Sequence, residues 1–102
     1  MRYIIYWELN PDVNFKDIAK AAAKLTQEKK YPLPGQKILG WYITSSVPIW
    51  GVSVIEYEGD NCERDIYKSL MTWLNEVPNV FKSYKIAPYL SIDEAIKVAL
   101  EV

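Results

Sequence analysis

Apolar and polar positions alternate with two different periods along the chain, and the changes of period divide it into short elements. A period of two predicts strands, whereas a period near 3.6 predicts helices. The pattern predicts strands at 2–9, 37–44, 50–57 and 81–89, and helices at 14–29, 60–78 and from 91 to the C-terminal end. This order, β-α-β-β-α-β plus a last helix, predicts a single α+β domain over residues 1–102 with a ferredoxin-like βαββαβ sandwich.

Two of the strands, 2–9 and 50–57, are apolar on both faces, so we expect them to be the central, parallel neighbours of the sheet. Pro88 places the fourth strand at an edge, because proline cannot donate a hydrogen bond to a neighbouring strand.

Residues that favour helix starts precede each predicted helix. Asn14 is a typical N-cap residue, and the pairs Asp60 with Glu63 and Ser91 with Glu94 have the spacing of a capping box. The periodicity of the last helix predicts that its apolar side chains point inward, namely Ile92, Ala95, Ile96 and Ala99.

Both faces of the predicted sheet are largely apolar. If Tyr42 lies opposite Val52, one face carries Ile4, Tyr6, Glu8, Ile38, Gly40, Tyr42, Thr44, Val52, Val54 and Glu56. The other face, expected under the helices, carries Tyr3, Ile5, Trp7, Leu9, Leu39, Trp41, Ile43, Ile55 and Tyr57. A monomer rarely leaves so large an apolar patch in water, so we expect a homodimer with two sheets face to face, a dimeric α+β barrel.

Composition removes several classes of chemistry. The chain has no histidine and one cysteine, Cys62, which excludes imidazole-dependent hydrolysis, an internal disulfide and cysteine-rich metal cages. The formal net charge of −1 and the absence of a glycine-rich phosphate loop disfavour nucleic acid and predict no nucleotide cofactor. No apolar run reaches the length of a membrane span, and we expect a cytoplasmic protein without metal or cofactor.

Trp7, the run 35–42, Gly51 with Ile55 and Glu56, Trp73 and Pro88 give the chain a resemblance to a known group. With them it resembles an uncharacterised family of small ferredoxin-like proteins that form dimeric α+β barrels. Members of that family often have a histidine where this chain has Ile43 and an arginine-like residue where it has Trp41. The wider superfamily includes monooxygenases, isomerases and binding proteins, so the resemblance implies a fold more than a function.

Two carboxylates are the candidate catalytic residues. With the central strands parallel, Glu8 and Glu56 would lie at the same end of the sheet, where two close carboxylates can divide into an acid and a base. Tyr6 and Tyr42 would share their face and donate hydrogen bonds to a ligand. The alternative is that both glutamates lie at solvated strand ends or pair with basic side chains.

Tryptophans are the candidate lining of a pocket for a flat apolar molecule. We expect Trp7, Trp41, Trp50 and Trp73 to contribute to it, although aromatic residues also fill ordinary cores. Cys62 is a weak candidate nucleophile, since acidic residues surround it. The acidic residues at the start of the second helix, Glu58, Asp60, Glu63 and Asp65, also complement its dipole and need no metal.

The sequence therefore predicts a cytoplasmic homodimer that binds a small apolar or aromatic molecule in a pocket formed by its sheet. Two alternatives remain open. One is an interaction module whose open sheet binds a protein or RNA, although Val52 and Val54 stand where an RNA-recognition motif has stacking aromatics. The other is a cofactor-free isomerase or monooxygenase-like enzyme that uses carboxylate acid and base chemistry.

Overall fold

Seven elements follow one another in the computed structural model, which describes residues 1–102. They are β1 (Arg2–Leu9), α1 (Phe15–Gln27), β2 (Gln36–Ile43), β3 (Trp50–Tyr57), α2 (Cys62–Glu76), β4 (Phe81–Pro88) and α3 (Ile92–Glu101). The strands form one four-stranded sheet in the order β2-β3-β1-β4. The predicted ferredoxin-like α+β architecture with an additional C-terminal helix is confirmed, and β4 is an edge strand as Pro88 predicted.

The central strands run in opposite directions, so the predicted parallel pairing of β1 with β3 is wrong. In their register, Arg2 lies opposite Glu56 and Glu8 lies opposite Trp50. The connections explain the correction. A helix crosses over between β1 and β2, which makes these two strands parallel, and a hairpin then reverses the chain into β3.

The core lies between the sheet and the first two helices. Alternate residues of the central strands are buried there, namely Tyr3, Ile5, Trp7, Leu9, Ser53, Ile55 and Tyr57. Helix α1 contributes Ile18, Ala21 and Leu25. It begins after Asn14, whose side-chain oxygen accepts a hydrogen bond of 2.9 Å from the Lys16 amide, as its position predicted.

Gln36 is a buried polar residue at the start of β2. Its amide nitrogen donates to the Tyr3 hydroxyl at 3.1 Å and to the Ser69 hydroxyl at 2.9 Å. Its amide oxygen accepts from the Leu33 backbone N–H at 2.9 Å. These contacts join β1, β2, α2 and the segment before β2, and they satisfy polar groups that would otherwise be costly to bury.

The register of β2 against β3 shifts between Ile38 and Gly40. Because of this bulge, Ile38 lies opposite Ile55 and packs against the core, although strict alternation placed it on the open face. Leu39, expected beneath the helices, is instead 45% exposed. Beyond the bulge the alternation holds, since Tyr42 lies opposite Val52.

The last two helices each differ from one expectation. The N-cap of α2 is Asn61 and makes no side-chain hydrogen bond, so the predicted capping box of Asp60 and Glu63 is wrong. The capping box of Ser91 and Glu94 at α3 is confirmed. However, α3 buries no residue, and the four side chains predicted to point inward do not enter the core.

None of the helices combines the length and the apolar character needed to cross a bilayer.

Candidate ligand-binding site

A cavity of about 210 Å³ lies on the helix-covered side of the sheet, beside α1. Strands β1, β2, β3 and β4 form its floor, and α1 together with Trp73 of α2 forms its walls. No charged side chain lines it, and Ser53 is its only lining residue outside the hydrophobic and aromatic classes. Such a cavity favours a neutral, apolar occupant, because a charge placed there would lose its hydration without finding a partner.

Three aromatic rings from three separate segments form one end of the cavity. Tyr31 and Trp73 have their ring centroids 5.4 Å apart, Tyr31 and Trp41 5.7 Å, and Trp41 and Trp73 6.1 Å. All three pairs meet edge to face, with interplanar angles of 61° to 78°. Edge-to-face packing is a favoured aromatic geometry, so the wall is held in place before any ligand enters.

Two largely buried phenols border this apolar space, and their hydroxyls have no hydrogen-bond partner in the protein. The side chains of Tyr31 and Tyr84 both line the cavity. Burial, the largest cause, raises the pKa of each phenol above its ordinary value, and the charge of Tyr84 would further raise the pKa of Tyr31. No side-chain polar atom of the chain is both fully buried and unpaired. Both hydroxyls therefore stay protonated at neutral pH, and, since neither is fully buried, they remain accessible donors.

Trp7 lies on the cavity floor, where its neighbours on β3 fix its position. Its indole N–H donates to the Ser53 hydroxyl at 3.1 Å. Its ring also occupies the space that a side chain at Gly51 would need. The hydrogen bond to Ser53 thus fixes the indole, and the glycine at position 51 leaves room for its ring.

The cavity opens to solvent near the start of α1 and the end of β2. The residues that border it there are exposed members of the lining: Phe15 is 47% exposed, Trp41 39%, Tyr42 63% and Ile43 52%. The deeper lining residues Ile5, Trp7 and Tyr31 are at most 9% exposed. A molecule can therefore enter without unfolding the core.

The opposite face of the sheet holds three of the predicted ligand-binding aromatics. Tyr6 and Trp50 lie there with ring centroids 5.7 Å apart, and the Lys85 ammonium lies 6.0 Å from the Tyr6 ring centroid. Tyr42 also belongs to this face by register, and it borders the cavity from the edge strand. Of the residues predicted to bind a ligand, Trp7, Trp41 and Trp73 thus line the cavity floor and walls, while Tyr6 and Trp50 do not reach the cavity.

The antiparallel pairing separates the two candidate catalytic carboxylates, so the prediction that they lie close together as an acid and a base is wrong. Glu8 lies at one end of the sheet and Glu56 at the other, about 20 Å away along the strands. Glu8 is within 4.0 Å of the Lys82 ammonium, which is the simple pairing that the sequence left open. Neither carboxylate lines the cavity.

The remaining candidates do not form a reactive centre. Cys62 is buried, and burial together with Glu63 raises the pKa of its thiol, which disfavours the reactive thiolate. In the acidic segment, Asp65 accepts a hydrogen bond of 2.6 Å from the Tyr57 hydroxyl. No group of three or more acidic or cysteine side chains is placed to hold a metal ion.

Sequence reasoning missed Tyr31, Ser53 and Tyr84 as site residues. Ser53 and Tyr84 had a signal in the alternation, since each faces Trp7 or its neighbours across a strand pair. Tyr31 lies in a Pro- and Gly-rich connection, where no period indicates that its side chain is 4% exposed.

Comparison with known proteins supports the architecture. A protein from Nitrosomonas europaea provisionally assigned as an antibiotic biosynthesis monooxygenase superposes with a TM-score of 0.57 at 16% identity, over 89% of this chain and 97% of that one. A similarly assigned protein from Caulobacter crescentus gives 0.55 at 12% identity, over 89% and 88%. This chain shares their ferredoxin-like fold. A dimeric ferredoxin-like protein of unknown function from Thermobifida fusca gives 0.51 at 11% identity, over 86% and 87% of the two chains.

No protein-family model matches the sequence. A search of curated proteins also gave no match. Because the structural neighbours are less than 25% identical, they establish the ferredoxin-like fold and leave the activity to be argued from the cavity.

Proposed function

We propose that the protein is a homodimer that binds a small, neutral, ring-containing molecule in the cavity beside α1. The observation that carries this proposal is an apolar cavity lined by the buried phenols of Tyr31 and Tyr84, whose hydroxyls have no hydrogen-bond partner in the chain. An apolar pocket with a few placed polar groups is the usual form of a small-molecule site.

The size of the cavity limits the ligand. Cavities of roughly 150 Å³ are known to accept benzene, and drug-sized ligands occupy roughly 300 Å³ or more. At about 210 Å³, this cavity suits a molecule of one or two fused rings. The rings of Tyr31, Trp41 and Trp73 present both edges and faces to the cavity, which favours an aromatic ligand over a flexible chain.

The polarity of the lining defines the functional groups of the ligand. Because both phenols are protonated, they donate hydrogen bonds and suit a carbonyl or ether oxygen on the ligand. A carboxylate ligand is disfavoured, since no lysine or arginine lines the cavity.

Binding, and not acid and base catalysis, is what these residues support. The cavity lining contains no carboxylate or amine, so it offers donors but no general base. Oxygenation, suggested by the assignment of two structural neighbours, is the alternative for the same cavity.

The dimer part of the proposal rests on the open face of the sheet. Ile4, Tyr6, Val52 and Val54 remain only half-buried there in the single chain, and the Thermobifida fusca neighbour is described as dimeric. A second sheet packed on this face would remove its apolar side chains from water.

The cavity is tested by titrating three matched two-ring probes into the protein and following tryptophan fluorescence. The probes are 1-tetralone, which has a carbonyl, naphthalene, which has none, and 1-naphthoate, which carries a charge. We expect 1-tetralone to bind best and 1-naphthoate worst. Because Trp7, Trp41 and Trp73 all line the cavity, occupancy should change the emission.

Two variants identify the donors. Tyr31→Phe and Tyr84→Phe each remove one oxygen and keep the ring, so each should lower 1-tetralone affinity roughly 2- to 12-fold and leave naphthalene affinity unchanged. Tyr67→Phe, on the exposed surface of α2, is the control. Equal binding of all three probes, or an unchanged preference in both cavity variants, would remove the proposal.

A further inference from the structure

Helix α3 presents an apolar surface that nothing in its own chain covers. Ile92 is 76% exposed, Ile96 52%, and Leu100 83%, and these three residues recur every four positions on one side of the helix. Ten residues with a satisfied capping box form a regular helix, so this surface is a preformed one.

The first turn of α3 is attached on the open-face side of the sheet. The Arg2 guanidinium lies 3.3 Å from the Glu94 carboxylate and 5.7 Å from the Tyr89 ring centroid. Arg2 alternates with the buried Tyr3 and therefore projects toward the open face. On α3, Glu94 lies opposite the row of Ile92, Ile96 and Leu100, so this ion pair turns the apolar side of the helix away from its own sheet and leaves it free for a second copy.

The charge of α3 disfavours an anionic membrane surface as its partner. The helix carries Asp93, Glu94 and Glu101 against a single basic residue, Lys97. Helices that lie on anionic membranes are rich in lysine and arginine.

The area needed for a stable dimer favours a second copy as the partner. One face of a four-stranded sheet with eight-residue strands covers roughly 500 Å², so two such faces bury roughly 1,000 Å² in total, below the usual range of about 1,200 to 2,000 Å². A ten-residue helix adds a contact roughly 15 Å long on each side, which brings the total to about 1,600 Å².

We propose that α3 of each copy packs on the edge strand β2 of the other copy, against the exposed side chain of Leu39. The proposal rests on the proposed dimer. The strand order places β2 and β4 at opposite edges, and a two-fold axis along the strands lays the β4 edge of one copy over the β2 edge of the other. Since α3 follows the end of β4 that pairs with Tyr3, it reaches the N-terminal half of β2, where Leu39 is 45% exposed.

A disulfide tests this contact in the full chain. The double variant Leu39→Cys with Ile96→Cys is oxidised and run on a non-reducing gel, with each single variant beside it. Three strand spacings, about 14 Å, separate the β2 and β4 edges within a chain, whereas a disulfide needs Cα atoms within about 7 Å. We expect a covalent dimer from the double variant and from neither single variant.

A matched control moves the second cysteine off the apolar side of α3. Lys97→Cys with Leu39→Cys should give at least fivefold less covalent dimer. A second test introduces no cysteine. Ile96→Asp should raise the dimer dissociation constant at least tenfold, because a carboxylate would be buried against the second copy. Leu39, Ile96 and Lys97 are all exposed in the single chain, so its folding does not depend on their side chains.

The outcomes separate this inference from the proposed function. A dimer by light scattering with no cross-link and an unchanged dissociation constant for Ile96→Asp would overturn the placement of α3 and keep the dimer. A monomer by light scattering would overturn both. Cross-linking by Lys97→Cys as strong as by Ile96→Cys would overturn the placement as well.

Discussion

The indole ring of Trp7 occupies the space beside Gly51, where no other residue could carry its side chain. A Cβ at position 51 would come closer to the ring, and to the Tyr42 carbonyl oxygen, than real Cβ atoms come to any neighbour. This contact sets the floor of the cavity, because the same indole donates to Ser53 and lines the pocket.

Gly51→Ala should therefore displace Trp7 and lower the free energy of unfolding by about 1–3 kcal/mol, the usual cost of overpacking a core. Urea denaturation measures the loss, and weaker 1-tetralone binding should accompany it. Gly40→Ala is the matched control on the next strand. Its Cβ would meet the ring of Tyr42, which is 63% exposed and free to move, so a smaller loss is expected.

The buried amide of Gln36 predicts a second stability effect. Ser69→Ala removes one partner of that amide and leaves buried polar groups unsatisfied, which should cost about 1–3 kcal/mol of unfolding free energy. Thr72→Ala in the same helix removes a hydroxyl that bonds only to the Lys68 carbonyl of its own turn. If the two variants lost the same free energy of unfolding, the Gln36 network would contribute nothing to stability.

Alkaline pH should destabilise the protein through its buried phenols. Burial raises the pKa of Tyr3 to about 12 and raises the pKa of Tyr31 further. A phenol whose folded pKa is raised contributes its stability fully below the unfolded pKa of about 10, and that stability is lost as the pH rises above it. Each such phenol should cost about 1.4 kcal/mol at pH 11 relative to neutral pH.

Tyr31→Phe checks the alkaline effect, because its hydroxyl has no partner to lose. The variant should match the unmodified protein in urea near pH 7.5 and exceed it in stability at pH 11. Tyr67→Phe, at a position 64% exposed, should follow the unmodified protein at both values. If the free energy of unfolding of Tyr31→Phe fell between pH 7.5 and pH 11 as much as that of the unmodified protein, the burial argument would be contradicted.

The strand and helix order followed from the sequence because its cause is local. Runs that are apolar on both faces marked β1 and β3, and Asn14 and Ser91 marked helix starts with their own side chains. The direction of β3 against β1 depends on how the connections cross the sheet, so the pairing of Glu8 with Glu56 was placed wrongly. The bulge after Ile38 likewise has no signal in the apolar pattern, yet it exchanges which side chains reach the core.

The cavity was only half predictable. Trp7 and Trp41 stood out because tryptophan in a strand is conspicuous, but a pattern cannot distinguish a filled core position from one beside an empty space. Tyr31 enters the site from a connection without periodicity. Helix α3 has the amphipathic pattern of a core helix, and the pattern does not say whether its own chain or another one covers it.

A charge on the open face should break the proposed dimer and leave the subunit folded. Val54 lies opposite Ile4 and Gly40 in the middle of this face and is half-buried in the single chain. In Val54→Lys the long side chain can reach water from a single sheet but not from between two sheets. We expect an unchanged far-ultraviolet spectrum and at least a tenfold higher dissociation constant, with Tyr67→Lys as the surface control.

The mass of the unmodified protein in solution tests the account most directly, because the covered sheet face underlies both the dimer and the placement of α3. Light scattering behind a sizing column at concentrations from 100 μM to 1 μM is the measurement. We predict twice the chain mass of 11.8 kDa, retained on dilution. A mass of 11.8 kDa at every concentration would contradict the account and leave the open face exposed in solution.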